Sequence, residues 1–228
     1  MRIDHAAGRD AFAGQLDRLL DLAERLDDHD LAAPSRCRGW TVADVLTHVH
    51  LGLQEMLLGI VSPTTDAPTV DAATYWSAAP PTNDDLPSDG DEASGTGHVR
   101  YVRRLTDAYA RPAGGIRHLA VTGRVVSRAA LRLPAANLDF QGHVMATGDF
   151  LATWAVELAV HHLDLGRELT GEPPTDAALE LARRTVAELA GGDLPGRFDD
   201  VEAVLIGTGR LPVPADSELA QLRLPALA

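Results

Sequence analysis

Trp154-Ala-Val-Glu157-Leu-Ala-Val-His161-His-Leu-Asp164 sets a carboxylate and an imidazole one helical turn apart inside an otherwise apolar run. Side chains at i and i+4 leave a helix in the same direction, so Glu157 and His161 can share one metal ion or one proton. The neighbours Trp154, Ala155, Val156, Leu158, Ala159 and Val160 leave almost no polar face, which puts this helix at the centre of a helical protein. A carboxylate buried there needs a partner, either a bound cation or an arginine. Asp164 follows His161 by one turn and can orient its ring, as metal-bound imidazoles commonly require; its other reading is a solvent-facing charge.

Working outward, the candidate for a third ligand is His48 in Gly39-Trp-Thr41-Val-Ala-Asp44-Val-Leu-Thr-His48. Thr41 reads as an N-cap and Asp44 as its capping-box acid, ahead of the apolar series Val42, Val45, Leu46, Val49, Leu53, Met56, Leu57 and Ile60. A histidine beside such a stripe is as readily a core residue satisfied by a hydrogen bond. His50 and His162 project in other directions from their helices and read as flanking residues with outer roles.

Helical spacing at Phe12, Leu16, Leu19, Leu20, Ala23 and Leu26 predicts a first helix over about 7–26. The second runs from Thr41, the third over roughly 93–110, and the fourth from a Thr147-Gly-Asp149 cap to about Thr170. Between the second and third lies a Pro- and Asp-rich connection, 62–92, in which Tyr75-Trp76 is the one bulky apolar island and should dock. Residues 116–146 suggest a short hairpin or irregular strands around Pro134 and Gly142. A fifth helix from Thr175 to about Ala190 and an apolar segment from Val201 to Ile206 follow. This divides the chain into a bundle over 1–170 and a C-terminal extension over 171–228 packed on it.

The 228 residues carry 20 Lys plus Arg against 33 Asp plus Glu, a net charge of -13 that argues against nucleic-acid or anionic-membrane partners. The partner expected is a small-molecule substrate; homodimerisation through an exposed helix face is a further expectation. One cysteine, Cys37, excludes an internal disulfide, and with no signal-peptide pattern or membrane-length apolar run the expected compartment is the cytoplasm. Cys37 sits between Arg36 and Arg38 but lacks a defined partner, so it reads as structural.

The segments Cys37-Arg-Gly-Trp-Thr-Val-Ala-Asp-Val-Leu-Thr-His48 and Thr153-Trp-Ala-Val-Glu157-Leu-Ala-Val-His161-His-Leu-Asp164 resemble the DinB-like metal-binding superfamily. Within it they are similar to the N-terminal domain of actinobacterial mycothiol-dependent maleylpyruvate isomerases. Gly123-Arg-Val-Val-Ser and Gly207-Thr-Gly-Arg210-Leu-Pro extend the resemblance over most of the chain. It implies a mainly α fold, a four-helix bundle with a long crossover between its second and third helices. It also implies a divalent metal, zinc with nickel as the alternative, on His48, Glu157 and His161, with an open position for a small thiol such as mycothiol.

Addition of that thiol to an electrophilic carbon would serve cis–trans isomerisation if reversed after rotation, and S-transfer if kept. Arg100, Arg103, Arg104 or Arg210 could bind a substrate carboxylate, with Trp154 nearby; solvated surface arginines are the plain alternative. The tail, 171–228, is short for a full C-terminal domain of such an isomerase. Two other readings remain open: a non-catalytic, metal-stabilised binding module, and a non-thiol metalloenzyme of a biosynthetic pathway with Asp164 or His50 as its base.

Overall fold

The spacing from Ala11 to Ala23 forms α1 (His5–Ala23), whose first amides, of Ala6 and Ala7, are capped by the Asp4 carboxylate. In this computed structural model, which describes residues 1–78, 96–166, 169, 171–215 and 218–227, a short α2 (Asp28–Ala32) follows before the chain enters α3 (Val42–Ile60). There the capping box closes as its residue types require: the Thr41 hydroxyl accepts from the Asp44 amide and the Asp44 carboxylate from the Thr41 amide. The crossover holds β1 (Pro63–Thr64), a 3₁₀ turn (Thr74–Ser77) and α4 (Thr96–Asp107). Then come α5 (Pro112–Ala130), β2 (Asn137–Phe140), β3 (His143–Ala146) and α6 (Thr147–Asp164). The tail adds α7 (Asp176–Ala190), α8 (Asp200–Gly207) and a final 3₁₀ turn (Leu219–Gln221).

The protein is mainly helical, with its long helices paired α1 on α6 and α3 on α5. A small antiparallel sheet in the order β1-β2-β3 closes one end, with Pro63 opposite Leu138 and Leu138 opposite Met145. α6 is buried on nearly every side, which explains its all-round apolar sequence. From α7, Ala178, Leu179, Leu181 and Ala182 enter the same core, while Val186, Leu194, Ala203, Ile206 and Leu219 form a smaller cluster between α7, α8 and the last turn.

Four expectations need correction. Residues 116–130 are helix, not strand: α5 occupies them, and only 137–146 form the hairpin. The β-branched residues Val121, Thr122, Val125 and Val126 imitate a strand, and Gly123 looks like a breaker. Its lack of a side chain instead admits Leu20 of α1, whose Cδ1 would lie 2.8 Å from a Cβ at that position. The third long bundle helix is therefore α5, and the helix expected over 93–110 is α4, an element of the crossover packed on α3.

Thr147 and Asp149 do not cap α6. Ala146 holds the N-cap position, the Thr147 hydroxyl donates to the Pro134 carbonyl, and Asp149 accepts from the Ile3 amide and from Arg2. α6 ends at Asp164 rather than near Thr170, which lies outside the described residues, as do 79–92 of the expected connection. Tyr75 and Trp76 pack against the core from the crossover.

Candidate metal centre

His48 projects from the middle of α3, and Glu157 and His161 from one face of α6, where those two helices pack against each other. Oε1 of Glu157 lies 3.3 Å from Nε2 of His48 and 3.1 Å from Nε2 of His161, and the two imidazole rings stand 4.7 Å apart between centroids. One donor atom from each residue thus falls within 4.8 Å of the other two. Two neutral-capable nitrogens and a carboxylate oxygen at this spacing suit a borderline dication, so the residues fit the divalent metal that the sequence implies.

Electrostatics hold the cluster charged. Burial raises the Glu157 carboxyl, but the facing His161 charge and hydrogen bonds from His161 and His48 outweigh it and hold that group well below the usual carboxylate range. Burial works against charge on His161 as well, yet Glu157, Asp164 and Cys37 together raise it well above the usual imidazole value. The three side chains thus place negative charge on Glu157 beside two imidazoles, a setting that favours positive charge.

Asp164 sits behind His161, its Oδ2 3.0 Å from Nδ1 of that ring, and is itself fully buried. Arg210, from the turn after α8, grips both oxygens of this carboxylate through Nε and Nη2 at 3.0 Å each, and its Nη1 donates to the Thr208 carbonyl. Burial penalises the Asp164 charge, but His161 and Arg210 hold its carboxyl far below the usual range. The expectation of Arg210 as a substrate ligand is corrected here: its guanidinium is committed to Asp164, a role with no signal in the sequence because 46 residues separate the pair.

The other candidates separate. His50 faces α5, with Nε2 2.9 Å from the Thr122 hydroxyl and 3.3 Å from the Gln54 amide, so it does not reach the cluster. A spacing of two residues from His48 turns it to that side. Arg103 donates to the Gly39 carbonyl, and Arg100 and Arg104 are exposed on α4. Trp154 is buried one turn before Glu157, its six-membered ring against Gly52, where a Cβ would stand 3.0 Å from Cζ3. Its Nε1 has no hydrogen-bond partner among the described residues.

Two residues gain roles that the sequence does not give them. Cys37 does have partners: the loop carrying it docks on the end of α6, with the Arg36 amide donating to the Asp164 carbonyl at 2.8 Å, and brings the thiol sulfur within 4.8 Å of His161 and Asp164. His98 of α4 sets its Nε2 3.1 Å from Nδ1 of His48, and the Trp40 ring lies 5.5 Å from His48 and 6.4 Å from His98. Nothing in local spacing pairs residues 48 and 98; the path of the crossover does.

A family model described as the mycothiol maleylpyruvate isomerase N-terminal domain matches residues 12–166, a span that holds His48, Glu157, His161 and Asp164 and ends before Arg210. Comparison with curated proteins and with solved structures finds no match. Since the matched span runs from within α1 past the end of α6 and covers more than half of the sequence, the chain belongs to the mycothiol maleylpyruvate isomerase N-terminal domain family.

Proposed function

We propose that the chain is a metal-dependent enzyme in which His48, Glu157 and His161 hold one divalent cation, zinc or alternatively nickel. A coordination position stays open for a low-molecular-weight thiol such as mycothiol, for cis–trans isomerisation or S-transfer on a small electrophilic substrate. The observation that carries this reading is the convergence of three donor atoms, from α3 and α6, within 4.8 Å. Three protein ligands, rather than four, is the pattern of catalytic zinc sites. When bound, such a dication supplies the charge that keeps a coordinated thiol deprotonated near neutral pH.

The chain's own residues prepare the site for that chemistry. Glu157 contributes a single negative charge and the histidines none once their protons leave, so a dication held there keeps net positive charge. Asp164, clamped by Arg210, fixes the His161 ring with Nε2 toward the cluster. Hydrolysis would need a free general base near the open position, and Asp164 is tied to His161 and Arg210 while His50 is tied to Thr122. These ties favour thiol addition over a hydrolytic reaction.

Cobalt-loaded protein titrated with mycothiol tests the proposal. A sulfur-to-cobalt absorption that grows with thiol, and is missing in His161→Ala, is expected. Cobalt binding with no response to thiol would contradict thiol use and leave a metal-stabilised binding module.

A further inference from the structure

We infer that His98 is a positioning residue for the metal centre: it accepts the Nδ1 proton of His48 and so fixes the tautomer and ring orientation that turn the Nε2 lone pair of His48 toward Glu157 and His161. The inference rests on the metal-binding reading of that triad.

An imidazole that ligates through Nε2 must carry its remaining proton on Nδ1, and a ligating histidine almost always passes that proton to an outer acceptor. For His161 the acceptor is Asp164, 3.0 Å from Nδ1. For His48 the group at that place is Nε2 of His98, 3.1 Å from Nδ1, with the rings meeting edge to face at 87°. A neutral His98 with its own proton on Nδ1 offers a lone pair there. The two metal-facing histidines are thus built alike, one backed by a buried carboxylate and the other by an exposed imidazole.

α4 does not need His98 for its own docking. Val102 is fully buried against the bundle, the Thr106 hydroxyl donates to that of Thr47 at 3.0 Å, and Arg103 holds the Gly39 carbonyl. Residues 98, 102 and 106 share one face of the helix by their spacing of four, so the anchoring of Val102 and Thr106 delivers His98 to His48. Trp40, 6.4 Å from the His98 ring between centroids, flanks it on the side of the loop before α3. The crossover helix therefore contributes to a metal centre whose ligands all come from other helices.

Zinc affinity by chelator competition on the full chain, for wild type, His98→Leu, His98→Gln and the same-helix control Tyr101→Ala, tests this. Removing such an outer partner weakens metal binding by roughly ten- to a hundredfold, so that loss is expected for His98→Leu, with the melting temperature of the metal-free protein unchanged. His98→Gln, whose amide oxygen can accept the same proton, recovers most of the affinity, and Tyr101→Ala matches wild type. Wild-type affinity in His98→Leu, equal weakening in the leucine and glutamine variants, or equal weakening in Tyr101→Ala would each overturn the inference while leaving the triad intact. Failure of the wild type to bind zinc would instead remove the reading on which it rests.

Discussion

Asp164 is buried with two partners, and the arrangement stays favourable only while both remain. Replacing Arg210 by alanine leaves that carboxylate dependent on His161 alone, and removing one member of a buried ion pair costs about 3 kcal/mol or more. Urea unfolding of metal-free Arg210→Ala beside wild type should read a loss of that order; an unchanged midpoint would mean that the pair carries no net stability. His162 adjoins His161 in sequence but is turned away from the cluster, toward the Glu172 carbonyl. Burial lowers its proton affinity against the ordinary 6.5, a hydrogen bond to the Glu172 carbonyl opposes that in part, and the Arg18 charge adds to it. The folded state therefore binds this proton less readily than the unfolded chain, so stability falls as pH drops through the unfolded value toward the lower folded one. Between neutrality and about pH 5.5, where an unfolded histidine is mostly charged, the urea midpoint of the metal-free wild type should fall relative to that of His162→Gln, because the opposite contribution of His161 is common to both; a constant difference between the two would contradict this.

At the scale of elements, α1 and the segment before it meet α6 backbone to backbone, where a Cβ added at Gly8 would strike the Gly148 carbonyl and one added at Gly148 would strike the Ile3 carbonyl. Backbone cannot yield as a flexible side chain can, so Gly8→Ala forces the two helices apart. We expect it to cost about 1–3 kcal/mol or more, read as a lowered melting temperature together with weakened metal binding through displacement of α6. Thr41→Ala removes the cap of α3, the helix that carries His48, and a decrease in stability of about 1 kcal/mol is expected. α3 is readable from sequence because its apolar spacing and capping box agree, and α1 and α7 from their apolar spacing. α5 is not: its valines and threonine have strand-like shapes, and its glycines serve Leu20 and the Tyr109 ring, neighbours that no local window contains. The cap of α6 is misread for a related reason, since Thr147 and Asp149 have the right residue types but are engaged elsewhere, the Thr147 hydroxyl donating to the Pro134 carbonyl and the Asp149 carboxylate accepting from Arg2 and the Ile3 amide.

For the whole molecule, the candidate centre lies where separate parts of the chain meet. α3 and α6 carry the three donors, the tail reaches them through Arg210 and Asp164, and the crossover reaches them through His98. Glu157 and His161 are legible because i and i+4 spacing within an apolar run singles them out, and His48 through the resemblance its segment carries. Their outer partners are not, because pairs such as 48 with 98 and 164 with 210 exist only after the chain has folded. Elemental mass spectrometry of the purified protein, wild type beside His48→Ala and His161→Ala, tests the central claim most directly. Near-stoichiometric zinc or nickel in the wild type, lost in both variants while their helical circular dichroism persists, is the predicted result. A folded wild type that holds no metal even after reconstitution would contradict it and leave His48, Glu157 and His161 as a buried polar cluster.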